Sequence, residues 1–223
     1  MTAYVLVHGA WCGAWSYNRL AGELREAGHR VLVADLTGLG NRCAELHPGI
    51  TLSTHIEDVI AQIEAEGFER FVLAGHSYGG MVVTGVAARL GARIDALVYI
   101  DGFLPQDGQA LWDLTSHVEH QVNVDLQRHS PGLMAPLPIF PNPRLTPHPY
   151  LCFIEPVWMS GEEAKVARRV YIFASDWPHS PFAKFVPLVS ADAAWEYHDF
   201  ACGHFVMDDM PDRLREVMLG CAG

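Results

Sequence analysis

Apolar residues gather along this chain in short, evenly recurring runs. "AYVLV" (3–7), "RVLVA" (30–34), "RFVLA" (70–74), "ALVYI" (96–100) and "RVYIF" (169–173) are nearly unbroken, and "AWEYH" (194–198) is more mixed. Unbroken runs of this length suit parallel strands covered on both faces. Between them the period changes to a helical one. In "TLSTHIEDVIAQIEAEG" (51–67), Ile56, Val59, Ile60 and Ile63 fall on one stripe, with Thr54 as N-cap, Glu57 three residues on and Gly67 as terminator. "WSYNRLAGELREAG" (15–28) carries Leu20 and Leu24, and "MPDRLREVMLG" (210–220) carries Leu214, Val217 and Met218, as further core-facing stripes. Strands alternating with helices predict a doubly wound α/β fold with a mostly parallel six-stranded sheet ordered 2-1-3-4-5-6.

One stretch breaks the rhythm. Nine of the fourteen prolines lie between residues 105 and 156. An interruption of that length is anomalous as a plain connection and reads as an insertion, about 104–166, capping the carboxyl edge of the sheet within a single domain spanning 1–223. The competing reading is a pair of ordinary helices joined by proline-rich loops, with no ligand role.

Composition narrows the function. The 223 residues suffice for one sizeable core, and with 50% apolar and 18% charged residues the chain suits a packed globule rather than a disordered or solenoid one. A formal charge of -11, without any cluster of Lys or Arg, argues against nucleic acid and anionic membranes as partners. A small neutral ligand fits better, on a monomer or homodimer. The first apolar strand begins at Ala3, leaving no room for a leader, and no apolar run is long enough to span a bilayer, so a cytoplasmic protein is expected. Five scattered cysteines without a CxxC pair predict free thiols rather than disulfides or zinc.

The chemistry concentrates at "RFVLAGHSYGGMVV" (70–83). Gly75-His76-Ser77-Tyr78-Gly79 is a GxSxG sequence between a predicted strand and a predicted helix, the setting of a nucleophile elbow. Small residues at 75 and 79 let strand and helix approach, and the sharp turn projects the Ser77 hydroxyl at a helix N-terminus. That hydroxyl needs a base. Of twelve histidines, His204 in "CGHFV" follows the last strand on the carboxyl edge, and Asp176 in "IFASDWP" follows the fifth strand on the same edge. Ser77, Asp176 and His204 then stand in the chain order of α/β-hydrolases.

Other residues compete for these roles. Asp101 in "VYIDGF" also ends a strand and could supply the acid, though the place equally suits a structural carboxylate. Asp199, Asp208 and Asp209 lie close to His204 in sequence and read as solvated or helix-start charges. His76 reads as a packed histidine with both nitrogens hydrogen-bonded. His117, His120 and His129 lack nearby carboxylate or thiol partners, so no metal is assigned. "LVHGAW" follows the first strand beside the elbow, which makes the backbone amides of Ala10 and Tyr78 the candidates for an oxyanion hole. Trp11, Phe103, Trp112, Met134, Phe140 and Trp158 are candidate pocket residues, each equally readable as core.

"VLVHGAWCGAWSYNRL", "AGHSYGGMV" and "FACGHFVM" resemble the α/β-hydrolase superfamily, in its cofactor-free branch of methylesterases, salicylate-binding esterases and hydroxynitrile lyases. The resemblance covers nearly the whole chain. It implies Ser77 as nucleophile, Asp176 as acid, His204 as base and oxyanion amides at Ala10 and Tyr78. The cyanogenic lyases of this branch typically carry a threonine after the first-strand histidine and a lysine after the catalytic one. Here these places hold Gly9 and Phe205. A serine esterase acting without cofactor on a small to medium hydrophobic or aromatic ester is therefore expected. The alternatives are a lyase using the same triad, or a receptor-like binder with slow turnover.

Overall fold

The computed structural model describes residues 1–178 and 180–222. Its elements run β1 (Ala3–Val7), α1 (Asn18–Glu26), β2 (Arg30–Val33), α2 (Leu52–Glu66), β3 (Phe71–His76), α3 (Gly79–Leu90) and β4 (Ile94–Ile100). Next come α4 (His117–Asp125), β5 (Leu133–Met134), β6 (His148–Pro149) and α5 (Leu151–Ile154). The chain finishes with β7 (Arg168–Ala174), α6 (Val186–Ser190), β8 (Trp195–Phe200), α7 (Val206–Asp209) and α8 (Pro211–Gly220). Six strands form one sheet in the order β2-β1-β3-β4-β7-β8, and every pairing in it is parallel. This is the expected α/β fold, with each of the six apolar runs in its place.

The period of two along each strand sends alternate side chains into two cores. Val5 and Val7, Phe71 and Leu73, Leu97 and Tyr99 pack with α2 and α3 on one face. Tyr4 and Leu6, Val72 and Ala74, Val98 and Ile100 pack with α1 and α8 on the other. Burial on both sides explains why the strands read as continuous apolar runs. Helix α2 starts three residues earlier than its sequence suggested: Thr51, not Thr54, is the N-cap, and the two threonines form a reciprocal capping box. Gly67 ends it at φ 64, in the left-handed region where glycine carries no Cβ penalty.

Between Ile100 and Arg168 the chain leaves the sheet. Short 3-10 turns, α4, the antiparallel pair β5–β6 and α5 lie over the first core, where Leu111, Leu114, Met134 and Phe153 are buried. Trp11, from the loop after β1, stitches this region down. Its indole N–H donates to the Met134 carbonyl at 3.0 Å, and its own carbonyl accepts from the Thr146 amide at 2.9 Å. Among the described residues, no helix is long and apolar enough to cross a membrane.

Candidate active site

Residues 71–88 are buried throughout except Ser77. The exception follows from local geometry. Ser77 sits at φ 55 between β3 and α3, its amide donating to the Ile100 carbonyl at 3.2 Å and its carbonyl accepting from Gly80 and Phe103 at 3.0 and 3.1 Å. A bend this tight requires glycine on both sides. A Cβ at Gly75 would lie 2.5 Å from the Gly79 carbonyl oxygen, and one at Gly79 would lie 2.6 Å from that of Val7. Gly80 is the third such place, where a Cβ would stand 2.2 Å from the Phe103 carbonyl oxygen. The backbone holds the serine out because nothing larger fits beneath it.

His204 follows β8 and shares a cavity wall with Ser77. Its Nδ1 stands 2.7 Å from Asp101 Oδ2, with side-chain exposures of 6% and 0%. The carboxylate at the imidazole thus belongs to Asp101, at the end of β4, and not to Asp176. Asp176 is exposed, and its backbone amide donates to the Cys202 carbonyl at 3.1 Å. Both aspartates end strands on the carboxyl edge, and chain order favours the later one. The structure selects Asp101 by turning its backbone inward, at φ 39, so that Oδ1 accepts from the Ala174 amide at 3.2 Å while Oδ2 faces the ring. The only described non-glycine residues with positive φ are Trp11, Ser77 and Asp101, and all three border this site. Backbone strain concentrates where function holds it in place.

Burial governs the protonation of the pair. Desolvation pushes the Asp101 carboxyl up to about 7 and the His204 ring down to about 3. The ring is enclosed by aromatic neighbours, with Trp177 at 4.6 Å, Phe182 at 5.3 Å and Phe140 at 5.9 Å between centroids. A neutral imidazole donating from Nδ1 to the carboxylate keeps the lone pair on Nε2, the form a general base needs.

His76 makes one hydrogen bond where two were expected. Its Nε2–H donates to the His204 backbone carbonyl at 2.9 Å, while Nδ1 is buried without a partner among the described residues. The bond ties the turn at Ser77 to the loop that carries His204.

The amides of Ala10 and Tyr78 donate to no acceptor among the described residues, and both residues line the cavity beside Ser77. Gly9 makes that approach possible, since a Cβ there would come within 3.0 Å of both His76 Nδ1 and Ser77 Cβ. The Tyr78 side chain points away into a buried cluster. Its hydroxyl donates to His55 Nδ1 at 2.8 Å, and His55 Nε2–H donates to the Thr37 carbonyl at 3.0 Å. His55, His148 and Cys152 bring their ligand-type atoms within 4.8 Å of one another. Burial raises the Cys152 thiol to about 12, its S–H points at the Ile50 carbonyl 3.6 Å away, and His55 is committed at both nitrogens. The chemistry of this set is that of a hydrogen-bonded packing cluster under the elbow.

A cavity of about 460 Å³ opens above Ser77 and His204. Of the six expected pocket residues, Trp11, Phe103 and Phe140 line it. The other three are placed elsewhere. Trp112 stacks on His120 at 3.6 Å, Met134 is fully buried, and Trp158 is 69% exposed beside Gly108. Sequence reasoning missed Leu111, Val122, Asn123, Leu137, Phe153 and Phe182, which complete much of the lining. A helical stripe on α4 was the available signal, and its low apolar content concealed it.

Comparison with known proteins places these features in context. Residues 4–217 match the model of the alpha/beta hydrolase family. A carbendazim hydrolyzing esterase from Nocardioides sp. (strain SG-4G) is 40% identical over 239 residues, covering 98% of each chain. Methylesterase 10 of Arabidopsis thaliana is 33% identical over 103 residues, covering 46% of this chain and 38% of its own. Among solved structures, an extracellular alpha/beta-hydrolase from a Paenibacillus species, described as homologous in structure and function to tobacco salicylic acid binding protein 2, superposes with a TM-score of 0.85. It is 23% identical and covers 99% of both chains.

Proposed function

The chain belongs to the alpha/beta hydrolase family and is a carboxylic ester hydrolase, and we propose that it cleaves small to medium aromatic or hydrophobic esters through Ser77, His204 and Asp101. One observation carries this reading. Ser77, the one partly exposed residue of the buried stretch 71–88, shares its cavity with an imidazole whose far nitrogen is held by a buried carboxylate.

In this cycle Ser77 Oγ attacks the ester carbonyl as His204 Nε2 takes its proton. Negative charge gathers on the carbonyl oxygen, where the Ala10 and Tyr78 amides receive it; one such donor is worth about 3 kcal/mol of barrier. His204 then protonates the departing alcohol, so the ester C–O bond breaks and an acyl-serine remains. Water, deprotonated by the same ring, releases the acid and restores Ser77. Asp101 steadies the imidazolium in both steps. The mostly apolar cavity, within the span of roughly 300–1,000 Å³ usual for small-ligand sites, supports an uncharged organic substrate.

Release of an anion such as cyanide has less support. Phe205 follows His204, and its ring lies 5.1 Å from that of Phe140, so the wall there offers no cation. Carbendazim belongs in the substrate panel because the relative of 40% identity is named for it. The test is Ser77→Ala assayed on p-nitrophenyl acetate and that panel. Loss of turnover with an unchanged circular dichroism spectrum is expected, and retained turnover refutes the assignment.

A further inference from the structure

Most of the cavity wall is hydrocarbon, contributed by Phe103, Leu111, Val122, Leu137, Phe153 and Phe182. Four polar residues from the 115–125 segment interrupt it, namely Thr115, Ser116, Glu119 and Asn123. Three of them are committed to their own backbone. Thr115 Oγ1 donates to the Trp112 carbonyl at 2.9 Å. Ser116 and Glu119 form the capping box of α4, the Glu119 carboxylate accepting from the Ser116 amide at 2.7 Å and Ser116 Oγ from the Glu119 amide at 3.3 Å. Asn123 differs. It is 6% exposed, it lines the cavity, and its carboxamide makes no hydrogen bond to any described residue.

An amide that faces the cavity loses its water when a ligand fills that space, and one then left unpaired costs about 1–3 kcal/mol. A helix whose inner face needed only to pack would carry leucine there. We propose that Asn123 is a specificity-determining residue that reads a paired donor and acceptor on the substrate. The substrate class is then an ester whose flat aromatic body carries a lactam-type N–H and C=O edge. A carboxamide presents one C=O and one N–H side by side, and a cyclic amide is their complement, so the two close a pair of parallel hydrogen bonds. An aromatic body of plain hydrocarbon leaves the carboxamide dry and unpaired, and the site discriminates against it. The inference deepens the esterase reading and rests on it for the reacting group.

The binding arm uses two methyl ketones, which undergo no ester hydrolysis. One is 6-acetylquinolin-2(1H)-one, with a lactam edge; the other is 2-acetylnaphthalene, of the same shape without it. Isothermal titration against the wild type, Asn123→Leu and Asn123→Ala gives a ratio of the two Kd values for each protein. The wild type is expected to favour the lactam by about 10- to 100-fold, and both variants to lose most of that ratio. The corresponding methyl esters provide the second arm, in which the same substitution lowers the kcat/KM ratio of lactam to naphthalene ester, through KM more than kcat.

A wild-type ratio near one, or a ratio that survives in both variants, overturns the inference. A variant that fails to fold is replaced by the other, or by the isosteric Asn123→Asp, which keeps the acceptor and loses the N–H. Ester turnover that persists in Ser77→Ala would instead refute the esterase assignment, while the ketone ratios would still judge Asn123.

Discussion

Asp101 Oδ2 and His204 Nδ1 meet at 2.7 Å across 103 residues of sequence, the carboxylate fully buried and the ring exposed only at the cavity. The pair makes Asp101 the residue that orients the ring. Asp101→Asn is expected to lower kcat by about 10³- to 10⁴-fold, because the amide favours the wrong tautomer. Asp176→Asn, at an exposed carboxylate, should stay within about 3-fold of wild type. Parallel kcat measurements decide, and the opposite ranking would return the role to Asp176.

The pH profile follows from the same burial. The two groups share one hydrogen bond, so a proton taken up below about 7 belongs to the pair and removes the base, whichever atom holds it. Activity is therefore present on the alkaline side and lost as pH falls through about 7. In Asp101→Asn the residual activity should show its acid limb at lower pH, since the buried ring alone resists protonation. Superimposable kcat/KM profiles for the two proteins would contradict the pairing.

Tyr78 separates backbone from side-chain function. Tyr78→Phe leaves its amide at the cavity but strands His55 Nδ1 without its 2.8 Å donor. Only the weak Cys152 S–H, with Sγ 3.7 Å away, remains to serve it, and a buried acceptor so poorly paired costs about 1–3 kcal/mol. Thermal unfolding should show the loss, while kcat falls by less than about 10-fold. A collapse of kcat at unchanged stability would give the phenol a direct part in the chemistry.

Gly80→Ala tests the bend. The new methyl would press on the Phe103 carbonyl, and overpacking of this kind costs about 1–3 kcal/mol. Tm should fall by about 2–4 °C for each kcal/mol, with kcat reduced as the elbow shifts. Gly22→Ala on α1, where a Cβ meets nothing within 4 Å, serves as the control and should be neutral or stabilising.

Strand order, the elbow and the position of His204 were legible in sequence because each depends on a local signal: an apolar run, glycines at fixed spacing, a histidine just past a strand. The choice between Asp101 and Asp176 was not. Both follow strands that end on the same edge, and only the positive φ at Asp101 and the path of the chain after β8 bring one of them to the ring. The cavity was half legible. Trp11, Phe103 and Phe140 announce themselves by size, whereas Trp112 spends its ring on His120 and Trp158 faces solvent. Asn123 gave no signal, since a polar residue on a mixed helix ordinarily faces water.

Seating the carboxylate at the end of β4 has an outcome for the loop after β7. Among the described residues of that segment none hydrogen-bonds to the imidazole nitrogens, and Trp177, Pro181 and Phe182 line the chamber instead. Trp177 and Phe182 also wall in the imidazole, at 4.6 and 5.3 Å between centroids, so retuning of selectivity has its natural starting place at Pro181, which borders the chamber without an aromatic contact to the ring.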